Sequence, residues 1–211
     1  SSQTRYHRVA LVGQLSVYLN GLGIKSYIPR LPKLHCTYTP YIFSEDEIKS
    51  FFVSCDRIQI GCKQFDTCVS IVPTLFRLLY ATGIRLCEAL SLHDKDINLE
   101  DNYLIIKTSK NGKDRIIPLS ESVSQTCKEY KEYRDRHFGR SDNDYFLITH
   151  IGRPCPRRTA YNWFRRILLD AGISHGGRGQ GPRIHDLRHT FSVHSFATMA
   201  KAGLDLYYSL P

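Results

Sequence analysis

Apolar residues recur at helical spacing along most of the chain, and this pattern predicts a mainly helical protein. Ser44 and Glu47 form a capping box that marks one helix start, with Phe43 and Ile48 placed to close a hydrophobic staple around it. The periodicity predicts the other helices at residues 4–20, 66–82, 85–92, 121–138, 156–172 and 184–202.

Two residues shape the helix predicted at 66–82. Pro73 lacks a backbone N–H, so we expect it to kink this helix. Gly83 follows the last periodic position and is expected to end it.

Residues 97–118 change from helical spacing to short apolar runs. Acidic and Asn residues at 100–102 and an Asn-Gly pair at 111–112 are typical of the turns between strands. We therefore expect three antiparallel strands in a small meander. The predicted fold class is mainly α with a small antiparallel β-sheet (α+β).

A proline-containing segment divides the chain. Residues 29–40 hold three prolines and few periodic apolar positions, which is typical of a linker. We expect residues 1–28 to be the end of a preceding domain and residues 41–211 to form the main domain.

The composition favours a polyanionic partner and a reducing compartment. The 211 residues carry a net charge of +9, which favours nucleic acid first and an acidic membrane surface second. No apolar run reaches the length of a membrane span, and the first residues lack the apolar core of a secretory signal. Seven scattered cysteines are typical of free thiols in the cytoplasm. Cys55, Cys62 and Cys68 suggest a zinc site only weakly, because no CxxC pair is present.

Two cationic groups stand out before the last third of the chain. Arg85 lies at the mouth of a helix in apolar surroundings, so it either pairs structurally with Glu88 or is aimed at an anion. A second group lies on the predicted hairpin, which is either a solvated tip or a basic finger on phosphates. Its members are Lys107, Lys110, Lys113 and Arg115.

A third group lies in HDLRHT, residues 185–190. His185 and Arg188 are three residues apart and share a helix face, and His185 falls in the first turn, where backbone N–H groups favour an anion. His185 and His189 have the HxxxH spacing of zinc ligands, yet no third ligand suggests itself and we expect no metal. Two arginines, a lysine and a histidine from three segments fit metal-free phosphoryl transfer on DNA.

The three segments resemble the motifs of one family, the tyrosine recombinases or phage-type integrases. ATGIRLCEAL is similar to their first signature box, KNGKDRIIPL to their β-hairpin, and HDLRHTF to their second box. The stretch GISHGGRGQGPRIHDLRHTFSVH resembles integrases of bacterial mobile elements, and the order and spacing agree over residues 41–205. The resemblance implies a tyrosine recombinase catalytic domain, preceded at residues 1–28 by a fragment of the DNA-clamping, core-binding domain.

The resemblance also implies roles for individual residues. Arg85 and Arg188 would clamp the scissile phosphate, Lys110 would act as general acid to the 5′ oxygen, and His185 would assist proton transfer. Glu88 and His189 would support the site. The other hairpin cations, Lys107, Lys113 and Arg115, would contact DNA.

The family's nucleophile is a tyrosine that lies beyond the second-box helix, and no residue here matches it. Tyr207 and Tyr208 come too soon after Arg188, so we expect packing or surface roles for them. The resemblance therefore implies a C-terminally truncated copy that binds DNA without cleaving it.

The implied partners are double-stranded DNA, further copies of the protein in a tetramer on DNA, and an accessory DNA-bending protein. No cofactor and no membrane are expected, and the location would be the bacterial cytoplasm. Three alternatives stay open: a non-catalytic DNA-binding or regulatory protein, a type IB topoisomerase-like enzyme and, more distantly, a metal-dependent nuclease.

Overall fold

The computed structural model describes residues 2–33, 39–57, 69–107, 114–138, 144–177 and 181–205. The chain divides into two compact units, Ser1–Thr39 and Pro40–Pro211. Among the described residues, none of the helices combines the length and the apolar character needed to cross a bilayer.

The first unit is built on one helix, α1, at Ser2–Gly21. After it, the chain turns back, and the Asn20 side chain bonds to both the backbone N–H and the carbonyl of Ser26. Most of its large apolar side chains, such as Leu15 and Tyr27, are exposed. The helix predicted at 4–20 is confirmed, and the assignment of residues 1–28 to a core-binding domain stays a prediction.

The second unit carries six further helices and one sheet within the described residues. The helices are α2 (Glu45–Asp56), α3 (Val72–Thr82), α4 (Leu86–Leu90), α5 (Glu121–His137), α6 (Arg157–Asp170) and α7 (Ile184–Lys201). The strands are β1 (Ile97–Asn98), β2 (Tyr103–Ile106) and β3 (Arg115–Pro118), and short 3-10 turns lie at Val69–Ile71 and Asp94–Asp96. The prediction of a mainly helical fold with three strands is confirmed.

The sheet is an antiparallel meander in the order β1-β2-β3. Leu104 on β2 pairs with Ile97 on one side and Ile117 on the other, and Ile106 pairs with Arg115. On β2, Leu104 and Ile106 are buried while their neighbours are half-buried, as expected for a strand with one face on the core. This register places Arg115 beside the end of β2.

The core of the second unit is an aromatic and aliphatic cluster between helices. Phe51 of α2 has its ring centroid 5.5 Å from that of Phe76 on α3 and 5.7 Å from that of Phe164 on α6. All three side chains are almost completely buried. The capping box of α2 is confirmed, because Ser44 Oγ accepts from the Glu47 N–H and Glu47 accepts from the Ser44 N–H. These contacts hold α2, α3 and α6 as one packed layer.

The expected kink at Pro73 is wrong. Pro73 lies in the first turn of α3, where the missing N–H removes no helical hydrogen bond. The helix ends at Gly83, as predicted, in the left-handed conformation with φ of 62°.

A buried arginine connects α5 to the segment before α6. The Arg134 side chain is 1% exposed, and it donates to both carboxylate oxygens of Asp94 at 2.7 and 2.8 Å. It also donates to Asp135 and to the carbonyl of Phe146. Burial lowers the pKa of Arg134, but the two carboxylates outweigh it and raise the pKa overall. The positive charge of Arg134 is therefore balanced by carboxylates within the domain.

Candidate active site

The end of α3 and the start of α4 place the first of the predicted arginines. Gly83 ends α3, Ile84 is buried, and Arg85 precedes the first residue of α4. Its backbone N–H donates to Glu88 Oε2 and its Nη1 donates to Glu88 Oε1, each at 2.8 Å. The structural pair predicted between these residues is present, while 42% of the Arg85 side chain stays exposed to solvent.

Arg115, the first residue of β3, reaches the same carboxylate. Its Nη2 donates to Glu88 Oε2 at 2.7 Å. Burial alone would raise the pKa of Glu88, but the Arg85 N–H and the guanidinium groups of Arg115 and Arg85 outweigh it and lower the pKa. Glu88 is therefore an ionised carboxylate shared by two arginines.

Helix α7 brings Arg188 to this cluster. Its Nη1 donates to the carbonyl of Gly83 at 2.6 Å, across 105 residues of sequence. The pKa of Arg188 is lowered first by burial and then by the positive charge of Arg85, with Arg115 adding to the effect and Glu88 opposing it. Three guanidinium groups around one carboxylate leave an excess of positive charge, which favours an anion.

The two histidines of the second motif lie one turn apart on the same face of α7. The ring centroids of His185 and His189 are 5.1 Å apart, with the rings almost perpendicular. Burial lowers the pKa of His185, and the nearby His189, Arg188 and Arg85 lower it further. His185 is therefore neutral at pH 7 and able to accept a proton.

Lys107 lies at the end of β2 and binds a second buried carboxylate. Its Nζ donates to Asp96, whose side chain is 6% exposed and also accepts from the His93 N–H at 3.2 Å. Burial alone would raise the pKa of Asp96, but Lys107 and the His93 N–H outweigh it and lower the pKa. Lys107, Asp96 and Glu88 all line one cavity of about 450 Å³, so the ion pair of Lys107 with Asp96 borders the arginine cluster.

The start of α6 adds cations beside α4. The pKa of Arg157 is raised first by a hydrogen bond to Tyr161 and then by the thiol of Cys87, a residue of α4. Arg158 is the next residue and is exposed. The predicted site residues did not include these arginines, although two cations at a helix start, where the dipole disfavours them, are an available signal.

Some predicted residues lie outside the described part of the chain. They are Lys110, Lys113, Tyr207 and Tyr208. The structure brings five of the predicted site residues close together: Arg85, Glu88, His185, Arg188 and His189. Their roles in the reaction stay predictions. Sequence reasoning missed Asp96, which binds Lys107 eleven residues later, and the Gly83 carbonyl, whose partner Arg188 is 105 residues away and leaves no local pattern.

A metal centre has no support in the described ranges. Within them, no three His, Cys, Asp or Glu side chains come close enough together to hold an ion. His185, one of the two histidines with zinc-ligand spacing, lies near the positive charges of Arg188 and Arg85 as well as the carboxylate of Asp186.

Known proteins resemble this chain over most of its length. The phage integrase family model matches residues 43–207. The tyrosine recombinase XerA of Pyrococcus furiosus is 29% identical over 200 residues, which is 93% of this chain and 61% of that protein. The putative integrase/recombinase y4rB of Sinorhizobium fredii is 25% identical over 177 residues, 82% of this chain and 55% of that protein. The chain thus spans little more than half the length of these relatives.

Solved structures agree with these matches. The XerH site-specific recombinase bound to its difH substrate, in a pre-cleavage complex, has a TM-score of 0.67 at 25% identity, covering 90% of this chain and 53% of that one. A lambda integrase dimer bound to a COC′ core site has a TM-score of 0.63 at 17% identity, covering 90% of this chain and 63% of that one, and shares the fold. The family model covers most of the chain, so this protein belongs to the phage integrase family and has the catalytic-domain fold of the tyrosine recombinases.

Proposed function

We propose that the protein is a site-specific DNA recombinase of a mobile element, which cuts and rejoins strands through a 3′-phosphotyrosine intermediate. The observation that carries the proposal is the meeting of Arg85 and Arg188, from segments far apart in sequence, beside the neutral His185. Guanidinium groups bind phosphate oxygens in a fixed geometry, so two of them can clamp one phosphate.

The proposed step needs no metal and no high-energy cofactor. A tyrosine oxygen forms a bond to phosphorus, the bond from phosphorus to the 5′ oxygen breaks, and Lys110 gives that oxygen a proton. Arg85 and Arg188 offset the charge that builds on the non-bridging oxygens. His185, being neutral, helps to take up the proton of the attacking hydroxyl. The phosphotyrosine conserves the bond energy for rejoining.

The attacking tyrosine is assigned to no residue of this chain. We propose that the 211 residues hold the phosphate-activating half of the site and bind DNA without cleaving it. The matched XerH structure is a complex with its DNA substrate. Double-stranded DNA is accordingly the proposed partner, with assembly as a tetramer across two duplexes and an accessory bending protein as a further partner.

The surface around the site supports a DNA partner through its charge. The net charge of +9 and the exposed Arg157, which interacts with Cys87 of α4, provide an attraction for phosphates that does not depend on sequence. Lys107 and Lys113 are proposed DNA contacts on the hairpin. For Lys107, such a contact competes with Asp96.

A suicide-substrate assay tests the proposal. Nicked duplexes covering the DNA that flanks the gene are incubated with the 211-residue chain and with a version that includes whatever residues the gene encodes after Pro211, the extended version. A covalent protein–DNA adduct is read on a denaturing gel. We expect an adduct from the extended version alone, and we expect Arg188→Ala to abolish it.

The other outcomes separate the alternatives. An adduct from the 211-residue chain would make Tyr207 and Tyr208 the first candidates for the nucleophile and would overturn the proposal that this chain binds DNA without cleaving it. Binding by both versions without any adduct would favour the non-catalytic DNA-binding protein. Relaxation of supercoiled plasmid by the extended version would favour the topoisomerase, and loss of activity with a chelator would favour the nuclease.

A further inference from the structure

The contact between Arg115 and Glu88 connects the sheet to the arginine cluster. Glu88 lies on α4, 27 residues before Arg115, and the N–O distance of the pair is 2.7 Å. Antiparallel pairing of Ile106 with Arg115 fixes where β3 begins relative to β2. The sheet therefore delivers this guanidinium to Glu88, the carboxylate that Arg85 also binds.

Both carboxylate oxygens of Glu88 accept hydrogen bonds from the two arginines. Oε1 accepts from Arg85 Nη1, and Oε2 accepts from the Arg85 N–H and from Arg115 Nη2. A carboxylate held at both oxygens by planar guanidinium groups has little freedom to rotate. Its orientation sets the direction of the Arg85 side chain.

The charges give Arg115 a second effect on the site. Glu88 offsets one of the positive charges that Arg85 and Arg188 would otherwise present to a phosphate. Arg115 adds back one positive charge. This charge also acts on Arg188, whose pKa is lowered first by burial, then by Arg85 and also by Arg115. The pair formed by Arg115 and Glu88 is therefore close to neutral and leaves the field of the two clamp arginines intact.

We propose that Arg115 is a positioning residue that orients Arg85 through Glu88. The inference rests on the proposed function and assigns Arg115 a role different from a direct DNA contact. Glu88 uses only Nη2 of Arg115, whose side chain is 34% exposed, so a phosphate contact by its other N–H groups is the alternative that the affinity measurement decides. In the proposed role, Arg115 acts on the reaction step through Glu88 and contributes little to affinity.

The test compares binding with cleavage in the extended version. Arg115→Met and Arg115→Lys are measured for DNA affinity over a range of salt and for single-turnover cleavage of suicide DNA. The matched control is Arg136→Met, the same change at an exposed arginine of α5. Each protein is also tested on DNA whose scissile phosphate is a methylphosphonate, in which a methyl group replaces one charged oxygen and the demand for clamp charge falls.

We expect Arg115→Met to keep its Kd within about threefold and to cleave the phosphate roughly 100-fold more slowly, as for a reacting group displaced by about 1 Å. The deficit should shrink to about fivefold or less on the methylphosphonate, and Arg85→Met should behave in the same way. Arg115→Lys, which keeps one ion pair, should recover part of the rate. Combined with Glu88→Gln, Arg115→Met should add little, because both act through one contact.

Three results would overturn the inference. The first is a Kd weakened tenfold with the salt slope reduced by about 0.9, the mark of one lost phosphate contact. The second is that Arg115→Met and Arg115→Lys slow the cleavage of the phosphodiester and of the methylphosphonate equally, which indicates a structural role. The third is unchanged cleavage. Failure of the proposed function is separate: the Arg188→Ala variant would then cleave as well as the unsubstituted protein.

Discussion

Replacing Gly83 with alanine should destabilise both the fold and the site, because this glycine ends α3 and packs against α7. Gly83 has a φ of 62°, a conformation that alanine adopts only with strain. A Cβ at this position would lie 2.6 Å from the Phe191 ring on α7. The Gly83 carbonyl also accepts the hydrogen bond from Arg188. A shift of either helix therefore moves a clamp residue.

The size of the effect follows from two costs. The left-handed conformation costs a residue with a Cβ about 1–2 kcal/mol. Relieving the contact with Phe191 should add about 1–3 kcal/mol, the usual range for overpacking. The lower entropy of alanine in the unfolded chain returns about 0.5 kcal/mol. We expect a loss of about 2–4 kcal/mol, and a drop in Tm of roughly 10 °C for a domain of this size.

Gly172 provides the matched control. It follows α6 and has a φ of 70°, and a Cβ added at this position would meet no atom within 4 Å. Gly172→Ala should therefore show only the conformational cost, about 1 kcal/mol. Both variants are measured by urea denaturation followed by circular dichroism. In a Phe191→Ala background, the cost of Gly83→Ala should fall by about 1–2 kcal/mol, which is the coupling expected of side chains in contact.

Two results would refute this reasoning. Equal losses for Gly83→Ala and Gly172→Ala would mean that Phe191 accommodates the new methyl group without cost. An unchanged cost in the Phe191→Ala background would mean that the steric contact does not contribute. For function, Gly83→Ala should slow adduct formation by the extended version while DNA affinity stays nearly constant.

Three further predictions concern single side chains. Arg134→Met should cost about 2–3 kcal/mol in urea denaturation, because it removes the bidentate partner of the partly buried Asp94 and the donor to the Phe146 carbonyl. Ser44→Ala should cost about 1 kcal/mol in the same measurement, since it removes the side-chain acceptor of the α2 capping box. The pKa of His185 should lie below 6.5 by NMR, because burial, then the nearby His189, Arg188 and Arg85 lower it, and His189→Ala should raise the midpoint. Since the folded pKa lies below the unfolded one, the stability from His185 is complete above about pH 6.5 and declines as the pH falls toward the folded pKa.

The elements of the fold could be predicted because their signals are local. The capping box of Ser44 and Glu47, the stop at Gly83 and the change of period at residue 97 each lie within a few neighbouring residues. The prediction for Pro73 is wrong because periodicity alone places the helix start too early. A proline fits the first turn of a helix better than its middle.

The residues that the structure brings together around Glu88 could be named from the sequence, while their roles stay predictions and most of their contacts could not be predicted. Arg85, Glu88, His185 and Arg188 stand out because an ionisable side chain in an apolar segment or at a helix start must be paired or must bind a ligand. Their contacts depend on tertiary structure: the Gly83 carbonyl meets Arg188 across 105 residues. No periodicity in the chain encodes such a distance.

The ion pairs at the ends of the hairpin have a consequence for how the protein can change over evolution. Lys107 is held by Asp96 and Arg115 by Glu88, so both ends of the connection between β2 and β3 are attached to the domain by their own contacts. Closing a longer connection then costs little, about 0.6 kcal/mol for each doubling of its length. Insertions and substitutions between these anchors should therefore be tolerated by the fold, so what limits change in this connection is the chemistry of Lys110, the proposed general acid, and not the stability of the domain.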